Sequence, residues 1–310
     1  MKPRPFLAAS AIALILCVVN ARRVRGETFR VGTYNVENYL DEATHNRHAK
    51  PAVAKAKVRE SILALKPDVL ALQEMGSPNA LEELRGSLKA DGLDFPYGNM
   101  VAGYDTNIHV AILSKFPFAA WRPHTNDSFL LDGRRFHVSR GFAEAVIQVN
   151  SNYNFTLLAA HLKSKRPIAQ ADEAELRQEE AKVLREKVDA LFAANPQVNL
   201  VVLGDLNDNK EAKSTKEVIG RGKYKLVDTR PAERNGDAAL AASRGLEPRN
   251  VAWTHYYAKE DTYSRLDYIL LSPGMAREWI TNESYVLTIP NWGAGSDHRP
   301  LVTTFEAEDK

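Results

Sequence analysis

Acids, amides and imidazoles recur along this chain at the ends of apolar runs: Asn35 and Glu37, Glu74, His161, Asp205 and Asn207, Asp267, then Asp297 with His298. Oxygen donors dominate the set. It suits a hard divalent cation such as Mg²⁺, with Mn²⁺ or Ca²⁺ as alternatives, because such ions prefer carboxylate, amide and water oxygens. No histidines are closely paired in the manner of His-Glu-x-x-His, which argues against zinc as the resident ion and leaves room for one metal or two. The single cysteine, Cys17, lies near the N-terminus. A chain cut after it has no thiolate to ligate a metal, form a disulfide or attack a substrate.

The elements that must carry these residues can be read from periodicity. Residues 29–35 alternate as a strand that turns polar at Asn35. Ala54, Val58, Ile62 and Leu65 have helical spacing, and Pro67-Asp68 ends that helix before a strand over 69–72 delivers Gln73-Glu74. Ser77 and Pro78 open a capped helix with Leu81, Leu84 and Leu88 on one face. Strands are expected over 110–114, 142–149 and 155–160, the last stopping at His161. Residues 169–194 form a charged surface helix with the stripe Leu184, Val188 and Leu191, and its charges pair along a wet face. The apolar run 198–203 then leads into Gly204-Asp205-Leu206-Asn207, where extended alternation puts Asp205 and Asn207 on one side. Residues 230–250 lack a period and are expected to be loop. Strands over 266–271 and 301–305 complete the chain.

With 310 residues, of which 44% are hydrophobic, the chain is long enough for a substantial core. Lys2 and Arg4 precede a 14-residue apolar run from Phe6 to Val19, too short to span a bilayer, and Val19-Asn20-Ala21 ends in a small residue. Residues 1–26 are therefore expected to be a signal peptide cut near 21–26, leaving one domain over 27–310 that is exported to the periplasm or beyond the cell. Five of the 41 basic residues precede Glu27, so the remainder carries 36 basic against 39 acidic residues. A grip on a polyanion must then come from a local patch and a bound cation.

Six segments carry a family resemblance: Thr33-Tyr34-Asn35-Val36-Glu37-Asn38, Pro67-Asp68-Val69-Leu70-Ala71-Leu72-Gln73-Glu74, His161-Leu162-Lys163-Ser164-Lys165, Gly204-Asp205-Leu206-Asn207-Asp208, Arg265-Leu266-Asp267-Tyr268-Ile269 and Ser296-Asp297-His298-Arg299-Pro300. In that order they resemble the endonuclease/exonuclease/phosphatase superfamily of secreted deoxyribonucleases and exonuclease III-like repair enzymes, in motif style closest to exported bacterial nucleases. The resemblance implies a four-layer αββα sandwich with two face-to-face, mainly antiparallel sheets and a site at one rim. It makes Glu74 the principal metal ligand, with Asn35 and Asp297 as further ligands or orienting groups. Asp205 activates the attacking water and Asn207 positions phosphate or nucleophile. His298, kept protonated by Asp267, donates to a phosphoryl oxygen, and His161 is a second phosphate-facing imidazole. Arg140 is placed by its position as a cation for the transition state, and Lys163 and Lys165, beside His161, are expected to make electrostatic contact with substrate phosphates.

The implied activity is metal-dependent hydrolysis of a phosphodiester by in-line attack of water, with DNA or RNA as substrate and no obligate protein partner, in a monomer. A lipid or small-molecule phosphoesterase is the alternative on the same site, favoured by a long exposed aromatic hairpin, which the sequence does not reveal. A non-catalytic binder would be expected to lack a metal carboxylate or His298, and both are present. His45, His48, His109, His124, His137 and His255 are expected to be structural or solvent-exposed, and Trp253 and Trp292 to pack in the core.

Overall fold

The computed structural model describes residues 26–44, 46–233 and 252–309. The expected leader lies outside them except for Gly26, as does most of the expected 230–250 loop. Strand β1 (Thr28–Tyr39) leads through helix α1 (Ala52–Leu65) to β2 (Val69–Met75), and helix α2 (Pro78–Ala90) leads to β3 (Tyr97–Val101) and β4 (His109–Ser114). Next come β5 (Phe118–His124), the hairpin of β6 (Ser128–Leu131) and β7 (Arg134–His137), β8 (Phe142–Gln148) and β9 (Asn154–His161). Helix α3 (Glu173–Ala194), β10 (Leu200–Asp205) and α4 (Lys213–Ile219) follow, then the short β11 (Val227–Asp228) and β12 (Ala232–Glu233). A second hairpin, β13 (His255–Tyr257) with β14 (Thr262–Ser264), precedes β15 (Asp267–Leu271), α5 (Met275–Glu278), β16 (Trp279–Val286) and β17 (Leu301–Glu306).

One sheet has the order β12-β16-β17-β1-β2-β4-β3 and the other β11-β15-β10-β9-β8-β5. Among the described residues, only β1–β2, β9–β10 and β12–β16 pair in parallel. Because strand side chains alternate, Phe29, Val31, Ala71 and Ile112 of the first sheet meet Ala145, Leu157, Val201 and Ile269 of the second in one core. The opposite faces carry the helices: Leu70, Leu72 and Val302 pack with Ile62, Leu84 and Leu88, and Leu158, Val202 and Leu270 pack with Leu176, Leu184 and Val188. The layers are thus helix, sheet, sheet, helix, as the resemblance implies.

Local chemistry sets where the elements begin and end. Ser77 Oγ accepts the Ala80 N–H at 3.2 Å, and Pro78 occupies the first turn of α2. Helix α3 begins at Glu173 rather than at the expected 169 because Asp172 caps it, its carboxylate accepting the N–H groups of Ala174 and Glu175 at 2.8 and 3.0 Å. Strand β10 lies two residues later than the apolar run suggests, and β1 continues to Tyr39, because pairing with neighbouring strands holds polar residues in extended conformation.

Candidate active site

The face that lines the core turns polar at one rim. Along β1 it runs Val31, Thr33, Asn35; along β2 Val69, Ala71, Gln73; along β9 Leu157, Ala159, His161; and along β10 Val201, Leu203, Asp205. Strand β15 runs antiparallel to β10, so Asp267 is its first residue on that face. Register fixes the neighbours: Asp205 lies between His161 and Asp267, and Asn35 lies beside Gln73.

Glu74 should not share this face. Simple alternation would send it with Leu70 and Leu72 into the helical layer. The register of β2 slips against β4 between Leu72 and Met75, and Glu74 takes a φ of 64°, so the irregularity re-aims its carboxylate into the cleft. There Oε2 accepts the Asn38 N–H at 2.9 Å, and Oε1 lies 3.5 Å from Asn35 Nδ2.

Asp205 is 1% exposed. Its Oδ2 accepts Asn35 Nδ2 at 3.0 Å and its Oδ1 accepts the Asn207 N–H at 2.8 Å. Burial pushes its carboxyl up to about 7, with His298 opposing the rise and Asp267 reinforcing it. Asn207 reaches Asp205 through a turn and not, as expected, by strand alternation: β10 has ended, Asn207 has a φ of 55°, and its Nδ2 donates to the Leu162 carbonyl at 2.9 Å. Gly204 has a φ of 130°, and a Cβ there would stand 2.0 Å from the Ala160 carbonyl oxygen, so no side chain fits.

His298 is placed by its own backbone and by Asp267. Its N–H donates to Ser296 Oγ at 3.0 Å, that hydroxyl donates to the Asn35 carbonyl at 2.7 Å, and Nδ1 lies 2.8 Å from Asp267 Oδ2. Burial alone would lower its pKa, but Asp267, Asp205 and Asp297 outweigh it and hold the imidazole well above its ordinary value. Nε2 is 3.7 Å from Asp205 Oδ2 and 3.8 Å from Asp297 Oδ1, beyond hydrogen-bond reach of either. Asp297 also faces His255, whose Nε2 is 3.5 Å from its Oδ2. His255 was expected to be structural or exposed; nothing in its sequence neighbourhood signals this position.

His161 lies with Nε2 3.5 Å from Asp205 Oδ2 and 4.0 Å from Glu74 Oε1, and its buried Nδ1 has no hydrogen-bond partner. Burial, Arg140 and His298 hold its pKa well below the ordinary value, so it is neutral. Arg140 donates to the Leu162 carbonyl at 3.2 Å and faces Asp105 at 3.6 Å. Arg47, which sequence reasoning missed, flanks Asp105 and Glu74 at 4.0 Å and donates to Asn38. Lys163 was expected at the substrate but is turned into its own loop, its ammonium donating to the Ser164 and Arg166 carbonyls at 3.0 and 2.8 Å. Lys165 is half exposed, 3.6 Å from Asp208. Beneath these loops Glu180 of α3 accepts the Ser139 N–H at 2.8 Å and the Lys163 N–H at 2.6 Å, fastening the residues before Arg140 and after Leu162.

The donors fit a hard cation. Carboxylates crowd at this rim: burial, Asp297 and Glu74 raise the Glu37 carboxyl, burial and Asp267 raise that of Asp205, and His255 and His298 outweigh burial to hold Asp297 below its ordinary value. A divalent ion would be held by Glu74 and Asp297 beside Asp205, where it would offset the negative charge gathered there. Asn35 is placed as an orienting group, since its side-chain Oδ1 accepts the Glu37 N–H at 3.0 Å while its Nδ2 faces carboxylates.

The sequence matches the model of the Endonuclease/Exonuclease/phosphatase family over residues 32–298. No curated protein matches it. Among solved structures, the human Nocturnin catalytic domain with bound sulfate anion is similar at 17% identity and TM-score 0.62, over 90% of this chain and 94% of that one. Sphingomyelinase C from Streptomyces griseocarneus is similar at 18% identity and TM-score 0.60, over 90% and 99%. Truncated Caenorhabditis elegans TDP2 is similar at 17% identity and TM-score 0.57, over 90% and 98%. The family match over this chain includes every rim position from Asn35 to His298, and the chain belongs to the Endonuclease/Exonuclease/phosphatase family of metal-dependent phosphoester hydrolases.

Proposed function

We propose that this protein is an exported phosphodiesterase that hydrolyses DNA or RNA with the help of a divalent cation, Mg²⁺ above all. The observation that carries the reading is the placement of buried Asp205 3.7 Å from Nε2 of His298, whose Nδ1 is engaged by Asp267 at 2.8 Å. Such a pair supplies a base and an acid to one reaction.

When bound, the cation neutralises charge that builds on the phosphoryl oxygens. Asp205 takes the proton of the attacking water, its two oxygens oriented by Asn35 and Asn207. His298 points Nε2–H into the cleft, where it donates to a phosphoryl oxygen and stabilises the transition state. Asp267 fixes the ring by engaging Nδ1, which leaves Nε2 for substrate. Arg47 and Arg140, held on either side of Asp105, and the half-exposed Lys165 supply the local positive charge that the remainder of the chain, with 36 basic against 39 acidic residues, lacks.

The test is a substrate panel in Mg²⁺ with plasmid, single-stranded DNA, RNA, bis-(p-nitrophenyl) phosphate and sphingomyelin. Cleavage of nucleic acid that disappears in Asp205→Asn is the expected result. Nucleic-acid cleavage that survives unchanged in Asp205→Asn and Glu74→Gln would overturn it. One feature favours the lipid alternative: the β13–β14 hairpin, short but aromatic, exposes Tyr257 and Tyr263 next to His255. Turnover of sphingomyelin without nucleic acid would select that reading. N-terminal sequencing of protein from the periplasm or medium tests export, with processing expected between residues 21 and 26.

A further inference from the structure

The β13 backbone lies against the segment that carries Asp297 and His298. His255 and His298 form an antiparallel bridge, the Tyr256 N–H donates to the Asp297 carbonyl at 2.9 Å, and the Arg299 N–H donates to the Thr254 carbonyl at 2.7 Å. This ladder presents two imidazoles and one carboxylate to the same space, the two rings 4.6 Å apart between centroids.

We propose that His255, Asp297 and His298 form a second metal site, selective for a borderline-soft ion of the Zn²⁺ type, whose occupation withdraws His298 from catalysis. The separations, each to a different Asp297 oxygen, lie near those the ion needs. Zinc bonds of about 2.0–2.2 Å in a tetrahedron put neighbouring ligand atoms about 3.3–3.6 Å apart. His255 Nε2 is 3.5 Å from Asp297 Oδ2, and His298 Nε2 is 3.8 Å from Asp297 Oδ1. One ligand atom from each of the three residues can be chosen so that all lie within 4.8 Å of one another. A fourth position is open to water, since the Asp297 side chain is 40% exposed while those of His255 and His298 are 16% and 6% exposed.

The surroundings of His298 also suit a metal ligand. A ligating histidine ordinarily gives its other ring nitrogen to a carboxylate, which fixes the ring and raises its basicity. Asp267 Oδ2 at 2.8 Å from Nδ1 occupies that place and leaves Nε2 as the ligand atom. Donor chemistry separates this trio from the neighbouring hard-ion position. Two imidazoles favour zinc-type ions, whereas Glu74 with Asp297 and water favours Mg²⁺. Asp297 belongs to both sets, so the two ions compete for its carboxylate, and an ion on His298 Nε2 blocks the atom that donates to substrate.

Co²⁺, a visible-absorbing stand-in for Zn²⁺, reads the site without any substrate, so the result stands whether or not the protein cleaves nucleic acid. The expected outcome is a tetrahedral-type Co²⁺ spectrum that Zn²⁺ removes and Mg²⁺ does not. By calorimetry, His255→Gln and Asp297→Asn each weaken Zn²⁺ binding more than tenfold, and Asp267→Asn weakens it about 10- to 100-fold, the usual cost of losing an outer partner. With Mg²⁺ present, one equivalent of Zn²⁺ suppresses turnover of bis-(p-nitrophenyl) phosphate by the unaltered protein, and His255→Gln resists relative to its own Mg²⁺ rate. Equal Zn²⁺ affinity in the unaltered, His255→Gln and Asp297→Asn proteins, each checked by circular dichroism, would overturn the site. Tight binding through His255 with no effect on turnover would overturn its coupling to catalysis.

Discussion

Two imidazoles share one cleft and meet opposite electrostatic surroundings. His298 stands among Asp267, Asp205 and Asp297 and is held charged, whereas His161 stands beneath Arg140 with Arg47 and Lys163 nearby and is held neutral. Both are almost fully buried, so desolvation acts on both toward the neutral form, and only the neighbours differ. Residue type therefore does not assign the acid. The second ring nitrogen does: His298 Nδ1 has a carboxylate at 2.8 Å, and His161 Nδ1 has no hydrogen-bond partner.

The harshest challenge to this contrast is removal of the divalent ion. Chelation is expected to abolish turnover and Mg²⁺ to restore it. Stability should follow the sign of the carboxylate shift. Asp205 has a folded pKa raised to about 7 from an ordinary 3.8, so in ion-free protein it contributes a loss of stability that grows as pH rises from about 4 toward 7. Divalent ion should accordingly raise the melting temperature more at pH 8 than at pH 5, and an equal rise at both would contradict the crowding of carboxylates.

Asp205→Asn and His298→Ala come next, each expected to reduce kcat/KM by about 10²- to 10⁴-fold with an unchanged circular dichroism spectrum. Asp267→Asn keeps a hydrogen-bonding group but removes the charge that supports His298. A loss of about 10- to 100-fold is expected, the worth of a hydrogen bond to a charged group at ~1.5–3 kcal/mol. The alkaline limb of the pH–rate profile should move to lower pH in this variant, because His298 then loses its proton sooner. An unmoved limb would assign the alkaline ionisation to another group.

Arg140→Met has the most direct bearing on the contrast. It removes a cation that depresses His161, so the His161 pKa, followed by NMR, should rise toward its ordinary value while that of His298 stays high. Parallel movement of both would mean that the two rings do not have separate environments.

The sequence revealed the rim residues better than the means by which they meet. Val201, Leu203 and Asp205 announce a strand whose core face ends in an acid, and the same period delivers Asn35 and His161. Glu74 fits the period only if its strand is regular, and it reaches the cleft because the strand is not. Asn207 lies beside Asp205 through a turn and not through strand alternation, and a left-handed residue after a strand leaves no periodic trace. Strands β3, β5 and β16 were not foreseen: their burial is mixed, as in residues 97–101, so pairing and not hydrophobic alternation defines them. Arg47 and His255 went unseen because loop and hairpin geometry, without any local motif, brings each to the site.

Core and rim occupy one face of the same strands, which makes catalytic competence a report on assembly. A slip of one residue in β10 would bury Gly204 and Leu206 where Leu203 and Asp205 belong, turning the acid into the helical layer along with the strand's apolar contacts. During refolding, a species with correct secondary structure but shifted pairing would therefore be silent, and recovered turnover would count only chains whose sheets have locked in their native alignment.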